Sequence, residues 1–211
     1  MVICLPLREI IDVNCYLYAD EASKHGFLID PGAQGEQLLA WIREQGYVIE
    51  KILLTHGHFD HIGALEVLGG REGIPVWIHE AGAAWLTDPV LNLSAQFRRK
   101  ITFQGANLFR DDTVFVLAGN PEYALRVIHT PGHTPDSVLF YDEKHELAFT
   151  GDTIFQGGRG NDSFPGGDGA LLTESILDRV LTLPGETKLY PGHGNPTTVD
   201  AERRWYRSDD T

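Results

Sequence analysis

Positive charge is scarce in this chain. Lys and Arg number 17 against 30 Asp and Glu, a formal net charge of −13 over 211 residues. Nucleic-acid binding rests on clustered cations against phosphate, so this balance argues against a nucleic-acid partner. Arg98-Arg99-Lys100 is the one basic run of three, and it reads as a solvated stretch. Cysteine is nearly missing: Cys4 and Cys15, both among apolar residues, are too few for a disulfide framework. A reduced, cytoplasmic setting is the expectation. Long apolar runs are missing as well, so no membrane span is expected. Arg8, Glu9 and Asp12 interrupt any apolar segment after Met1, which argues against an export signal.

What the chain does have is 42% hydrophobic content, which fits one globular domain over residues 1–211. Strands are expected at Val2–Leu5, Cys15–Tyr18 and Gly26–Asp30, with Asp12-Val13-Asn14 as the turn or strand start between the first two. A helix over Glu36–Gln45 turns Leu38, Leu39 and Ile42 inward and stops at Gly46. Val48–Leu54 reads as a strand, Ile62–Leu68 as helical, Ile74–Ile78 as a short strand and His79–Leu86 as helical. Thr87–Asn107 reads as irregular surface, lying over a site. Strands follow at Thr113–Val116 and Tyr123–Ile128, then a hairpin of Ser137–Tyr141 and Glu146–Phe149. Gly157–Gly169 is a glycine-rich loop, Ala170–Leu183 a helix with Asp168 near its N-cap, Lys188–Tyr190 a strand and Ala201–Arg207 a last helix. The tail Ser208–Thr211 is expected to fray. Strands and helices alternate and then repeat, which implies two sheet-plus-helix halves in a layered α/β domain.

The most informative stretch is Thr55-His56-Gly57-His58-Phe59-Asp60-His61. Three imidazoles and a carboxylate within six residues are metal ligands by type. Apolar Ile52-Leu53-Leu54 before it and Ile62-Gly63-Ala64-Leu65 after it place the motif on a strand-to-helix loop. In an extended segment His56, His58 and Asp60 share one side, and His61 breaks the alternation. One loop can therefore feed two adjacent metal positions. Three further ligand types follow strands and sit in Pro/Gly turns. His133 lies in Thr130-Pro131-Gly132-His133-Thr134-Pro135, Asp152 in Thr150-Gly151-Asp152-Thr153 and His193 in Pro191-Gly192-His193-Gly194. His25, His79 and His145 fall outside these motifs and read as surface or helix-cap residues. His129 is either a support behind the ligands or a strand-end histidine.

From Leu28-Ile29-Asp30-Pro31-Gly32 to about Thr198, these motifs in this order resemble the metallo-β-lactamase superfamily, and within it the glyoxalase II-like hydrolases. The resemblance implies a four-layer αββα sandwich with a dinuclear metal site at the sheet edges. It implies that His56, His58 and His133 hold one metal, that Asp60, His61 and His193 hold the other, and that Asp152 bridges them. Asp30 matches a position that supports the metal loop. The implied cofactors are two divalent ions, zinc foremost, or iron or manganese. True zinc β-lactamases commonly carry Cys where this chain has Asp152, so antibiotic hydrolysis is not expected. Flavo-diiron proteins carry an acidic residue in place of His58, which disfavours that redox branch. Glyoxalase II proper has a C-terminal helical domain that helps bind glutathione, whereas about 18 residues follow His193 here. The stretch from Gly157 resembles a shorter branch, which often has Gly-Arg at Gly160-Asn161.

The implied chemistry is hydrolysis of a small-molecule thioester such as S-lactoylglutathione by a metal-bridging hydroxide. A divalent metal lowers the pKa of bound water from ~15.7 to ~7. Asp60 and Asp152 would orient that hydroxide and carry its proton. Arg159 and Tyr190 are candidates for gripping an anionic substrate. Persulfide dioxygenases of the same superfamily keep one iron on two His and one carboxylate, and His56, His133 and Asp152 match that set. Hydrolysis of a lactone or other ester is a further alternative, and a metal-stapled binding domain a weaker one. Oligomeric state is left open.

Overall fold

The computed structural model describes residues 1–208, so positions 209–211 of the tail expected to fray lie outside the described residues. Six strands form the first sheet: β1 (Val2–Arg8), β2 (Asp12–Ala19), β3 (His25–Ile29), β4 (Val48–Leu53), β5 (Val76–His79) and β6 (Asn107–Phe109). They lie in sequence order, antiparallel up to β3 and parallel from β3 to β6. The chain continues with β7 (Val114–Leu117), β8 (Asn120–His129), β9 (Val138–Asp142), β10 (Leu147–Gly151), the ribbon of β11 (Ile154–Phe155) and β12 (Gly158–Arg159), β13 (Lys188–Pro191) and β14 (Thr197–Thr198). Apart from the ribbon, these form a second sheet in the order β14-β13-β10-β9-β8-β7.

Strand periodicity sorts the side chains into layers. On β2, Tyr16 and Tyr18 face the second sheet, while Cys15, Leu17 and Ala19 face outward. On β9, Val138 and Phe140 point inward, and Leu139 and Tyr141 outward. The inner layer is aromatic, with Phe27, Phe140 and Phe149 fully buried between the sheets. Outside the first sheet, α1 (Gly35–Glu44) seats Leu38, Leu39 and Ile42 against Leu17, Leu28 and Ile52. Outside the second sheet, α3 (Gly169–Ser175) and the π-helical turns Ile176–Val180 press Leu172, Ile176 and Val180 onto Leu139, Ala148 and Leu189. Asp168 caps α3, its carboxylate accepting from the Ala170 and Leu171 N–H groups at 3.0 Å. Helix, sheet, sheet and helix make the four-layer αββα sandwich.

Local expectations change in four places. The helix after the metal loop, α2 (Phe59–Ile62), starts three residues earlier than expected, so Asp60 and His61 lie in its first turn. His79–Leu86 holds only a short 3-10 turn, Glu80–Gly82. Thr87–Asn107 is irregular as expected, apart from a 3-10 turn at Ser94–Phe97, and the edge strand β6 begins at its last residue. The glycine-rich loop contains β12, paired with β11. A final helix, α4 (Val199–Ser208), closes the described chain. Among the described residues no helix is long and apolar enough to cross a membrane.

Candidate metal centre

Each ligand-bearing turn leaves the C-terminal end of a strand. The loop with His56 and His58 follows β4, the His133 turn follows β8, Asp152 follows β10, and His193 follows β13. Backbone hydrogen bonds hold these turns together, across the sheet gap from Val138 N to Thr55 O at 2.9 Å and within the second sheet from Gly192 N to Gly151 O at 2.8 Å. The structure brings all seven expected ligand residues to one place. Ligand atoms of His56, His58 and His133 lie within 4.8 Å of one another, as do those of Asp60, His61 and His193, and those of His56, His61 and Asp152.

Hydrogen bonding fixes which nitrogen each ring offers. Thr55 Oγ1 donates to Asp30 Oδ2 at 2.6 Å, so it accepts from His56 Nδ1 at 3.2 Å. That leaves a lone pair on His56 Nε2. His133 Nδ1 donates to Asn161 O at 2.7 Å, which leaves a lone pair on its Nε2. Both of these nitrogens face His58 Nδ1, at 3.1 and 2.9 Å. One proton on His58 Nδ1 cannot serve two acceptors, whereas a cation satisfies all three nitrogens. In the second set, His61 Nδ1 donates to Asp30 Oδ2 at 2.9 Å, and its buried Nε2 has no hydrogen-bond partner. His193 Nδ1 donates to Asp12 O at 2.6 Å. Its Nε2 lies 3.4 Å from both Asp60 Oδ2 and Asp152 Oδ2. Asp152 also lies 3.6 Å from His133 Nε2 and 3.4 Å from His61 Nε2, so its carboxylate adjoins both sets. The donor set, the orphaned His61 nitrogen and the outward hydrogen bonds behind His56, His61, His133 and His193 fit divalent cations.

The two sets differ electrostatically. Burial keeps His56, His58 and His133 below the usual imidazole range, His58 at about 3, so these rings are neutral donors. Burial also acts on His61, but Asp152, Asp30 and Asp60 outweigh it and hold the ring well above that range. Hydrogen bonds to Asp152 and Asp60 likewise overcome burial at His193 and lift it to about 10. Burial alone would raise Asp60 and Asp152, yet His61 and His193 hold both carboxyls below the ordinary value. A cation held by the second set would take the place of protons on His61 and His193.

Two glycines leave room for the ligands. A Cβ on Gly192 would lie 2.5 Å from Asp152 Oδ1 and 2.7 Å from His61 Cε1. A Cβ on Gly160 would lie 2.8 Å from His133 Nδ1. A cavity of about 200 Å³ opens onto His58, Asp60, His133, Asp152 and His193. Its other wall is Ile11, Phe59, Leu93, Gln96, Phe97 and Phe164. The irregular 87–107 segment thus lies over the site, through Leu93, Gln96 and Phe97. A groove of about 590 Å³ beside Arg126, Tyr141 and Lys144 is larger, but none of the seven ligand residues lines it.

The expected substrate grips are corrected. Arg159 and Tyr190 do not line the cavity. Arg159 bonds Asp162 Oδ2 at 2.9 Å, Thr173 Oγ1 at 2.5 Å and Gly169 O at 3.1 Å, tying the glycine-rich loop to α3. The Tyr190 ring packs between the sheets against Phe149 and Tyr16. His79 is buried, not on the surface, and stacks on His129 at 4.2 Å while capping the Glu80–Gly82 turn. His129 Nε2 donates to Pro135 O at 2.8 Å, behind the His133 turn. Arg98 and Lys100 are exposed, and Arg99 makes a surface ion pair with Glu9 at 3.6 Å. The wall residues and the Asp12 and Asn161 carbonyls were not found from sequence. Thr55 stood inside the quoted motif, and only its hydrogen bonds reveal its role.

The metallo-beta-lactamase superfamily model matches residues 9–193, and the chain belongs to that superfamily. It is a metallo-hydrolase of that group. Among curated relatives it is 36% identical over 199 residues to the probable metallo-hydrolase YqgX of Bacillus subtilis, covering 92% of this chain and 90% of that one. It is 34% identical over 205 residues to the hydroxyacylglutathione hydrolase GloC of Haemophilus influenzae, covering 93% and 94%. Among solved structures it resembles the B3 metallo-beta-lactamase BLEG-1, with a TM-score of 0.90, 36% identity and 97% of each chain covered. It also resembles TTHA1623 in a di-iron-bound form, with a TM-score of 0.84, 33% identity and coverage of 96% and 97%.

Proposed function

We propose that this chain hydrolyses a small-molecule thioester in the manner of the glyoxalase II-like enzymes, using two divalent cations. The observation that carries the reading is the pair of overlapping ligand sets, joined through Asp152, at the floor of one cavity. His56, His58 and His133 would hold the first cation, Asp60, His61 and His193 the second, with Asp152 serving both. When bound, such cations supply a water ionised near neutral pH and an electrophile for the carbonyl oxygen. Zinc is the first choice, with iron or manganese as alternatives; the di-iron form of TTHA1623 keeps iron in view.

The chain's own residues do the rest. No Ser, Cys or Lys among the described residues lines the cavity, so water is the nucleophile. Leu93, Phe97 and Phe164 present an apolar wall beside the ligands. Asp60 and Asp152, both largely buried, can take the proton that the attacking water loses at a carboxylate oxygen. A thiol leaving group with a pKa near ~8.5 departs as thiolate with little protein help. GloC of Haemophilus influenzae supports the thioester as substrate through its name alone. Two unbridged cysteines, Cys4 and Cys15, fit a reducing cytoplasm.

A substrate panel on the metal-loaded protein tests this. It contains S-lactoylglutathione, non-glutathione thioesters, lactones, β-lactams and glutathione persulfide, the last followed by oxygen uptake. Thioester turnover is the expected result. β-Lactams belong in the panel because BLEG-1 is described as a B3 metallo-beta-lactamase, and weak turnover is expected with Asp152 in place of Cys. Oxygen consumption without thioester turnover would overturn the hydrolytic reading in favour of the one-iron dioxygenase, and turnover of lactones alone would move it to an ester substrate.

A further inference from the structure

We infer that Arg98 and Lys100 are specificity residues that receive an anionic group of the substrate at the cavity rim, away from the reacting bond. The inference rests on the thioester reading above, and it supplies the anion contact that Arg159 does not make. Both residues sit on the loop 85–101, which is built as a rigid support. Asn92, fully buried, closes that loop. Its Nδ2 donates to Trp85 O at 2.9 Å and to Ile101 O at 2.8 Å, and its Oδ1 accepts from Ser94 N at 3.0 Å. Phe59 N donates to Asn92 O at 2.9 Å, which ties the loop to the residue between His58 and Asp60. Leu93 and Arg98 flank the 3-10 turn Ser94–Phe97 in left-handed backbone, at φ 70° and 55°. Residues other than glycine hold that conformation only where their surroundings impose it.

This support sets the basic run between two lining residues. Phe97 lines the metal cavity, and Ile101 lines a small recess beside it that shares Ile11, Phe59 and Asp60 with the cavity. Arg98, Arg99 and Lys100 span the rim between them and are exposed. Arg99 reaches Glu9, another recess residue, at 3.6 Å, and Arg8 pairs with Asp12 at 3.7 Å, so those charges cancel. Arg98 and Lys100 have no ion-pair partner among the described residues, although carboxylates take Arg43, Arg110 and Arg179 elsewhere on the surface. Two uncompensated positive charges thus stand at the cavity mouth of a chain with net charge −13. An anionic substrate is repelled by most of this surface and drawn to that mouth. The proposed floor cations add an attraction that is the same in every protein compared below, so variants at the rim isolate its share.

The test measures kcat/KM on the metal-loaded protein for acetyl thioesters of glutathione, which carries carboxylates, of coenzyme A, which carries phosphates, and of neutral N-acetylcysteamine. Succinyl N-acetylcysteamine places the charge on the acyl side instead. The readout is the ratio of each anionic substrate to acetyl N-acetylcysteamine. In the double variant Arg98→Gln, Lys100→Gln the ratio for at least one anionic substrate should fall about tenfold at low salt. Raising the ionic strength should shrink that difference. The substrate that loses most identifies the anion received. Gln keeps an unbranched side chain at the left-handed position 98. Lys188→Gln removes an exposed charge at the start of β13, the end away from His193, and should leave the ratios alone. Calorimetric titration with the S-methyl ethers of the three thiols, which hold no ester to cleave, reads the same preference in Kd. Ratios unchanged in the double variant, or lowered as far by Lys188→Gln, overturn the inference while thioester turnover keeps the hydrolytic reading. If the ethers show the loss and no thioester is cleaved, the thioester reading falls and the anion grip stands.

Discussion

His61 Nδ1 and Asp30 Oδ2 lie 2.9 Å apart, on side chains that are 0% and 3% exposed. The same carboxylate accepts from Thr55 N at 2.8 Å and from Thr55 Oγ1 at 2.6 Å. Asp30 therefore fixes His61 directly and His56 through Thr55, one ring of each ligand set. It does so from a left-handed backbone (φ 50°), a conformation Asp tolerates better than most residues. Support of this kind typically accounts for 10–100-fold in metal affinity. Asp30→Asn keeps the shape but can turn an N–H toward its donors. Metal titration of this variant should show affinity lowered by about that factor, with the circular dichroism spectrum unchanged. Native affinity in Asp30→Asn would show that the rings are held without it.

Asp152 and His193 should separate the two ions. Asp152 adjoins His133 of the first set and His61 and His193 of the second, whereas His193 Nε2 faces only the second set. Elemental analysis of Asp152→Ala is expected to find both metals largely lost. His193→Ala should keep the ion on His56, His58 and His133 and lose most of the other. Equal metal content in the two variants would remove Asp152 from its bridging role.

The ligands were legible in the sequence because each sits in a local signal: a His-rich loop after an apolar strand, or a Pro/Gly turn carrying one His or Asp. The αββα layering was legible through the family motifs, whereas β9 and β10 are buried on both faces and show no alternation in sequence. The cavity wall was not. Ile11, Leu93, Phe97 and Phe164 are ordinary hydrophobics in three unrelated loops, and only tertiary docking brings them together. Arg159 shows the converse. Its charge and position suggested an anion grip, yet Asp162, Thr173 and the Gly169 carbonyl lie closer and take its donors. The start of α2 was misplaced because His58 leads into the helix with extended backbone and no side-chain cap, so no Ser, Thr, Asp or Asn marks the boundary.

His79 offers a pH test remote from the ligands. Burial, then the neighbouring His129, lowers it from 6.5 to about 4. The unfolded chain therefore binds the proton first as pH falls. The neutral buried ring is fully compatible with folding above about pH 6.5, and stability drains as pH falls toward 4, by up to about 1.4 kcal/mol per pH unit for one proton. His79→Phe keeps a ring against His129 and cannot take up that proton. Chemical denaturation of both proteins from pH 7 to 4, at matched metal loading, should show the variant losing less stability. Parallel pH profiles would show that His79 does not titrate on unfolding.

The last ligand turn is held by a residue outside every metal motif. Asn14 Nδ2 donates to Pro191 O at 3.0 Å and to Gly194 O at 2.9 Å, bracketing His193 on both sides. The Asn14 backbone N–H reaches Gly192 O at 2.8 Å, and Asp12 O receives His193 Nδ1 at 2.6 Å, so the start of β2 carries the turn. Tyr16 O–H supplies a further bond to Pro191 O at 2.7 Å. Asn14→Ala removes two donors while that carbonyl keeps Tyr16, so global stability should fall by only about 1–2 kcal/mol. The larger effect should appear at the second cation, where a turn free to shift no longer holds His193 Nε2 near Asp60 and Asp152. Affinity there should drop by about tenfold or more, with the first cation little changed. Asn14→Asp matches the shape and puts acceptors where donors stood, so carboxylate meets carbonyl and the second ion should bind no better than in Asn14→Ala. Stepwise metal titration of both variants checks this, and native affinity for the second ion in either one would show that the backbone of β2 holds the turn without the amide.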